Sequence, residues 1–166
     1  MTSAPSDRPP LPAIGWREWL ALPDLGVAAI KAKVDTGART SALHAFDTQI
    51  EMRGGERWVR FCVHPIQGDD DEVVETGAPL VEERTVRSSN GQMEDRPVIV
   101  TTAELAGRRF QIELTLTRRD EMGFRMLLGR EAVKSRFVVD PQRSYIVALN
   151  RAARDAKRAT RRARPA

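Results

Sequence analysis

The sequence is poor in the residues that most often build disulfides and metal centres. Among 166 residues there are one cysteine, Cys62, and two histidines, His44 and His64. A single cysteine excludes a disulfide within the chain and a multi-cysteine zinc site. The His-Glu-x-x-His segment of many zinc hydrolases is also missing. We therefore expect a protein of a reducing compartment that has no cofactor.

Long hydrophobic runs are missing as well. There is no stretch of 18 apolar residues, and residues 1–5 lack the charged and apolar regions of a signal peptide. A phosphate-cradling Gly-x-x-x-x-Gly-Lys loop is absent too, so an ATP site of that type is not expected. These absences predict a soluble, cytoplasmic protein without a membrane partner.

Basic residues are concentrated at one end of the chain. The net charge is +4, but residues 151–166 alone contain seven Lys and Arg residues against one Asp, while the rest has 20 basic and 22 acidic residues. We expect 151–166 to be a basic, disordered tail, with contact to RNA or another polyanion as the alternative. The Pro- and Ser-rich residues 1–13 predict a disordered leader, which leaves 14–150 as one domain.

Strand patterns dominate that domain. Residues 27–34 alternate charged and apolar side chains, and Gly54-Gly55 between two strand-like runs predicts a tight hairpin. One short helix is expected after Gly129, at 130–134. About eight strands in under 130 residues predict an all-β fold, a small closed barrel, with a sandwich as the alternative. The predicted strands are 27–34, 42–53, 56–64, 79–87, 97–102, 109–117, 124–128 and 145–149.

The segment Asp35-Thr36-Gly37-Ala38 is the first candidate for chemistry. It directly follows a predicted strand, and Gly37 lets the chain turn so that the Asp35 carboxylate projects from the strand end into a cleft. The alternative is an ordinary β-turn with a solvated aspartate. Asp35 is thus a candidate catalytic acid.

A second feature strengthens that interpretation. About ninety residues later, Met126-Leu127-Leu128-Gly129-Arg130 places an apolar strand directly before a glycine and a short helix. The pair resembles the retropepsin family of aspartic proteases, in which an apolar-apolar-Gly segment packs beneath the Asp-Thr/Ser-Gly loop. The resemblance implies catalysis by Asp35, support of its loop by Thr36, Gly37, Ala38, Leu128 and Gly129, and a flap hairpin carrying Ser89, Asn90 and Gly91.

A closer resemblance extends over almost the whole domain. Segments 14–19, 22–26, 32–45, 89–91, 96–99 and 127–130 look like the bacterial family whose members are called ATP-dependent zinc proteases. Its members occur beside, or fused to, ATP-grasp ligases that add glutamate to a ribosomal protein. The resemblance implies a retropepsin-like fold, a peptide or protein substrate, a role linked to glutamylated tails, and such a ligase and the ribosome as partners.

The aspartic mechanism imposes a demand on a chain of this size. Two carboxylates share one proton, one serving as base toward water and the other as acid toward the scissile carbonyl. One Asp-Thr-Gly segment per chain therefore predicts a homodimer in which Asp35 of each subunit meets at a two-fold axis. Asp140 is the rival second acid within one chain, although the following Pro141 favours a turn at a strand end.

Arg39 departs from the retropepsin pattern, in which an acidic residue commonly follows the loop. Its guanidinium could bind an acidic substrate through a bidentate pair, or could pair with a loop carboxylate. Two other functions stay open. One is a zinc-dependent hydrolase on the same fold, with His44 and His64 as ligands beside Cys62 or Asp35. The other is a non-catalytic regulator of a glutamate ligase.

Overall fold

The computed structural model describes residues 8–66, 68–87, 90–118 and 123–147, together with Arg154, Asp155 and Arg158. Over the described part of residues 8–147 the chain forms twelve strands, one α-helix and a 3-10 turn at Pro23–Leu25, and Arg154, Asp155 and Arg158 have helical conformation. The strands are β1 Ala13–Gly15, β2 Arg17–Leu22, β3 Val27–Asp35, β4 Ser41–His44, β5 Phe46–Arg53, β6 Glu56–Val63, β7 Val74–Pro79, β8 Glu82–Arg87, β9 Met93–Leu105, β10 Arg108–Thr117, β11 Met126–Gly129 and β12 Val138–Asp140, and the helix is α1 Arg130–Val133.

Six strands form a ring. They follow the order β10-β4-β11-β3-β2-β9, and an antiparallel pairing of β9 with β10 closes the circle. The ring is not formally a barrel, because β2 and β9 meet at a single pair, Ala21 and Glu104. β8 extends the sheet outside the ring by pairing with β9. The predicted all-β fold with one short helix is confirmed.

Two smaller sheets complete the architecture. β5, β6 and β7 form an antiparallel three-stranded sheet, and Gly54 and Gly55 have positive φ angles of 56° and 83° at its hairpin turn, as the sequence predicts. β1 and β12 form a separate parallel pair that joins the two ends of the domain.

The core lies inside the ring and beneath the three-stranded sheet. Alternate residues of β6 point inward, so Val59, Phe61 and Val63 are fully buried against the side chains of the ring. The removal of these apolar side chains from water is the main stabilising term, of about 1.5–3 kcal/mol for each large side chain. The fully buried residues of the ring include Leu22, Ile30, Leu43, Ile99, Leu114 and Leu128.

Two predicted strands are each divided between two sheets. The run 42–53 breaks at Ala45 into β4 in the ring and β5 in the small sheet, with a register shift beside Asp47, which has a positive φ of 50°. The run 79–87 breaks likewise, because Leu80 bonds to β6 and Val81 to β9. Each break falls where two apolar residues stand side by side, Ala45-Phe46 and Leu80-Val81, with no glycine or proline between them to mark the change of partner strand.

The strand predicted at 145–149 is wrong over the part that can be described. Tyr145 has a positive φ of 53°, its amide donates to the Arg17 carbonyl, and the Ile146 amide donates to the Glu18 side chain. Residues 148–150, most of the predicted leader and most of the tail lie outside the described residues. Among the described helices, none is long and apolar enough to cross a membrane.

Candidate active site

Asp35 is the last residue of β3, at the point where that strand leaves the ring. Its Oδ1 atom accepts hydrogen bonds from the amides of Gly37 at 3.0 Å and Ala38 at 3.2 Å. A Cβ on Gly37 would lie 3.3 Å from Oδ1, so a glycine eases this close approach. Among the described residues nothing donates to Oδ2. One carboxylate oxygen is therefore held by the loop itself, and the other is left for chemistry.

The loop after Asp35 rests on β11. Gly129 pairs with Asp35 in the parallel register of β3 and β11, and its amide donates to the buried Ser41 hydroxyl at 3.0 Å. A Cβ on Gly129 would lie only 2.5 Å from the carbonyl carbon of Thr40. Glycine is thus required here, and beneath it Leu128 is fully buried.

The first turn of α1 is hydrogen-bonded to the residues that follow Gly37 in the same loop. The Arg130 amide donates to the Ala38 carbonyl at 2.7 Å, and the Glu131 amide donates to the Arg39 carbonyl at 3.1 Å. The Arg130 guanidinium also donates to the carbonyl of the exposed Thr36, at 3.1 Å. These bonds use helix-start amides that have no partner within the helix, and they restrain the whole loop.

The structure therefore brings together the six residues that the resemblance grouped around the catalytic loop: Asp35, Thr36, Gly37, Ala38, Leu128 and Gly129. Their catalytic and supporting roles stay predictions. Ser41 was missed by sequence reasoning. A buried serine six residues after the aspartate gives no local signal, since its partner Gly129 lies 88 positions away.

The predicted flap corresponds to the hairpin of β8 and β9. Arg87 pairs with Met93 at its end, and Asn90 and Gly91 lie exposed in the connecting turn, with Gly91 at a positive φ of 81°. Ser89 lies outside the described residues. The exposure of the hairpin end leaves it able to contact a substrate, but its role as a flap stays a prediction.

A polar groove of about 540 Å³ opens beside the loop. The Arg84 guanidinium crosses it, with an ion pair of 2.7 Å to Glu113, a second ion pair to Glu82 and a hydrogen bond of 3.4 Å to the Thr40 hydroxyl. Hydrogen bonds with Glu113 and Glu82 raise the pKa of Arg84 above its ordinary value. Residues of the groove are Arg39, Thr40, Ser41, Arg84, Gln111, Ile112, Glu113, Glu131, Ala132 and Arg136.

The two histidines are held in different surroundings. His44 lies on β4, and its backbone amide donates to the Arg125 carbonyl. The His64 ring stacks on Phe46 with 4.3 Å between centroids, and its Nε2 lies 3.9 Å from the Asp70 carboxylate. Across the described part of the chain, no group of three or more His, Cys, Asp and Glu side chains could hold a metal ion.

Cys62 is also a poor partner for zinc. Partial burial, then the nearby carboxylates of Glu75 and Asp47, raise the pKa of its thiol. Zinc binds the thiolate, which these surroundings disfavour. The described residues therefore do not fit a zinc site.

Asp140 ends β12 in a turn of its own. Its Oδ1 atom accepts a hydrogen bond from the Gln142 amide at 2.9 Å, and its backbone pairs with Gly15 of β1. No hydrogen bond between described residues joins it to Asp35. The turn agrees with the structural interpretation of Val139-Asp140-Pro141.

Comparisons with known proteins agree with this geometry. Residues 13–149 match the RimB-like family, described as "Retropepsin-like aspartic endopeptidase RimB". A solved structure from Legionella pneumophila, a DUF785 protein of unknown function, superposes with a TM-score of 0.69 at 25% identity, covering 81% of this chain and 97% of that one.

Curated relatives carry a different name. Proteins called "Probable alpha-L-glutamate ligase" are 48% identical over 132 residues in Shewanella halifaxensis and 49% identical over 128 residues in Desulfotalea psychrophila. The matches cover 80% and 77% of this chain but only 29% and 28% of those proteins. The chain thus spans less than a third of the length of these relatives.

Proposed function

This chain belongs to the RimB-like family of retropepsin-like aspartic endopeptidases, and on that premise we propose that it hydrolyses peptide or isopeptide bonds in glutamylated protein tails as a homodimer. The observation that carries the proposal is the Asp35 loop. Its carboxylate stands at a strand end with one oxygen bound by backbone amides, on a support formed by β11 and α1. Such restraint suits a group that must hold its position during proton transfer.

The chemistry requires two copies of that loop. In the proposed dimer, one Asp35 accepts a proton from water while the other, protonated, donates its proton to the scissile carbonyl oxygen. The water oxygen bonds to the carbonyl carbon and gives a gem-diol. The first Asp35 then donates the proton that it took from water to the nitrogen, the C–N bond breaks, and a hydroxyl of the gem-diol returns a proton to the second Asp35. Thr36 hydroxyls would brace the two loops against each other, and Gly37 would permit their close approach.

The substrate class is inferred from two observations. Curated relatives are named as glutamate ligases and contain a region that matches this chain, which supports an association with a ligase that produces glutamate tails. Arg39, directly beyond the loop, is exposed and has no carboxylate of the described residues within ion-pair distance. A guanidinium in that position is suited to a substrate carboxylate. The ligase, the ribosome and a cytoplasmic location belong to the same proposal.

The decisive experiment measures release of glutamate or peptides from a glutamylated ribosomal-protein tail. The wild type is compared with Asp35→Asn, each with and without a chelator, and Asp140→Asn is the matched control. We expect activity to be lost in Asp35→Asn alone. Loss with the chelator alone would overturn the aspartic mechanism in favour of a metal-dependent hydrolase.

A regulatory function is the second candidate, because the matched relatives are named for ligase and not for protease activity. A regulator acts through binding and does not need the Asp35 carboxylate. If Asp35→Asn protein changes the length of tails made by the ligase as strongly as the wild type does, the enzymatic proposal fails and the regulatory one stands.

A further inference from the structure

The polar groove beside the catalytic loop contains more positive charge than its own residues neutralise. Three arginines line it, Arg39, Arg84 and Arg136, against two glutamates, Glu113 and Glu131. Arg84 is neutralised by Glu113 at 2.7 Å and by Glu82. Glu131 lies 3.9 Å from the Lys134 ammonium, which already compensates it. The net charge of the lining is therefore +1, and Arg39 and Arg136 are its two cations that have no carboxylate of the described residues within ion-pair distance.

Arg136 lines the groove just after α1, and its guanidinium is held in place by its neighbours. Its guanidinium lies 4.7 Å from the centroid of the Phe110 ring, and its Nη1 atom donates to the carbonyls of Glu131 and Ala132 at 3.4 and 3.3 Å. Over the described ranges no carboxylate lies within ion-pair distance of Arg136. A guanidinium fixed on an aromatic face and on backbone carbonyls loses little conformational freedom when it binds an anion.

Arg39 is the residue of the groove that is nearest in sequence to Asp35. It follows the Asp35 loop by one residue, and its carbonyl is tied to the Glu131 amide, so its backbone position is restrained. The groove is lined by residues of β10, of α1 and of the segment that directly follows the Asp35 loop, and by Arg136. Two neutral polar side chains, Thr40 and Gln111, also line the groove.

We propose that this groove is a secondary binding site for an acidic peptide segment, with Arg39 and Arg136 each taking one carboxylate of a substrate that is cut at Asp35. The inference rests on the proposed function and adds to it the position of the flanking acidic residues. It also explains why a glutamylated segment would be preferred, since two separated cations favour a chain that carries repeated carboxylates.

A nucleic acid fits the groove less well. None of the described lining residues is aromatic, so bases would have no ring on which to stack. A peptide needs no such ring, because its carboxylates can bind Arg39 and Arg136 individually.

The test uses the full chain carrying Asp35→Asn, so that the probe is bound but not cut. Fluorescein-labelled hexaglutamate and hexaglutamine are titrated and followed by anisotropy at low and high salt. Arg39→Gln and Arg136→Gln, each added to this parent, should weaken hexaglutamate binding by about 3- to 10-fold, as expected for a charge-assisted hydrogen bond at a partly exposed site. Hexaglutamine should bind much more weakly to all forms.

The matched control is Arg53→Gln, which removes one positive charge from the β5–β6 hairpin in the other sheet. It should leave hexaglutamate affinity within about 1.5-fold of the parent, since Arg53 does not line the groove, is paired with Glu51 and is screened by solvent. Equal weakening by Arg53→Gln, equal binding of hexaglutamine, or displacement of the probe by an equally charged oligouridylate at the same concentration would overturn the proposal.

A second measurement separates this inference from the proposed function. In the catalytically competent chain, Arg39→Gln and Arg136→Gln should raise KM for the glutamylated tail by a similar factor with kcat changed less than about 2-fold. Arginine-dependent binding without any cleavage would contradict the proposed function and leave the binding site in the groove standing. Cleavage with KM unchanged in both variants would contradict the binding site in the groove and leave the proposed function standing. Should Arg136→Gln fail to fold, Arg39→Gln, whose side chain has no partner among the described residues, gives the answer by itself.

Discussion

Asp35 and Asp140 occupy two regions of the molecule with the same local construction. Each ends a strand, and each accepts a backbone amide two residues later on its Oδ1 atom. Each also pairs, across a parallel bridge, with a glycine that has no room for a side chain. A Cβ on Gly129 would lie 2.5 Å from Thr40, and one on Gly15 would lie 2.4 Å from the Arg143 carbonyl oxygen.

The amide of each glycine also donates a hydrogen bond to a buried side-chain oxygen. Gly129 donates to Ser41, and Gly15 donates to Glu18 at 2.8 Å. The two regions differ in their wider surroundings. The Asp35 loop continues into a groove and is fastened to α1, whereas the Asp140 turn belongs to a two-stranded sheet that joins the ends of the domain. Similar local geometry therefore serves catalysis in one place, as we propose, and closure of the fold in the other.

The largest expected effect distinguishes Asp35 from Asp140. Asp35→Asn should lower kcat/KM for a glutamylated tail by about 10²–10⁴-fold, the usual contribution of a general acid or base. Asp140→Asn should stay within about 3-fold, because its carboxylate serves only a turn. Steady-state cleavage assays on both proteins check the prediction, and an equal loss in Asp140→Asn would make the two sites functionally equivalent.

The next largest effect is expected at Gly129 and Gly15, the glycines that pair with Asp35 and Asp140. Gly129→Ala and Gly15→Ala should each lower the free energy of unfolding by at least about 1–3 kcal/mol, since the new methyl group collides with backbone atoms. Denaturant titration measures both losses. Only Gly129→Ala should also reduce cleavage at a temperature where both variants remain folded, because only it displaces the Asp35 loop. Full activity in folded Gly129→Ala would contradict the proposed support by β11.

A smaller loss is expected when the side chains that accept the two glycine amides, Ser41 and Glu18, are replaced by alanine. Ser41→Ala leaves the Gly129 amide unsatisfied and should cost about 1–3 kcal/mol of unfolding free energy. Glu18→Ala should cost more than Ser41→Ala, since the Glu18 carboxylate accepts the amides of both Gly15 and Ile146. Thermal and denaturant unfolding measure both, with Thr48→Ala, at an exposed position, as the control.

The smallest effect is expected at Arg130. Its side chain donates one exposed hydrogen bond to the Thr36 carbonyl, so Arg130→Gln should cost about 0.5–1 kcal/mol of stability. Cleavage should fall by less than about 5-fold, because the backbone bonds from α1 to the loop remain. A loss as large as that of Asp35→Asn would instead place Arg130 in contact with the substrate.

Sequence reasoning succeeded where a feature depends on neighbouring residues. The Asp35 turn, the Gly54-Gly55 hairpin and the helix that starts at Arg130 all follow from residues within a few positions of one another. It failed where the chain changes partner strands inside one strand-like run that contains no turn residue, as at Ala45 and at Leu80. It also missed Ser41 and Arg136, because their roles depend on groups brought near by folding.

The sequence by itself determined the all-β character, the short helix and the position of the candidate acid, because alternation and turn chemistry are short-range. Only the tertiary structure decided that Gly129 must lie against Thr40, that Ser41 receives its amide, and that Arg39 and Arg136 line one groove. Those relations join residues up to 97 positions apart. The physical reason is that strand register and ring closure place such residues together, and neither is encoded at any single position in the chain.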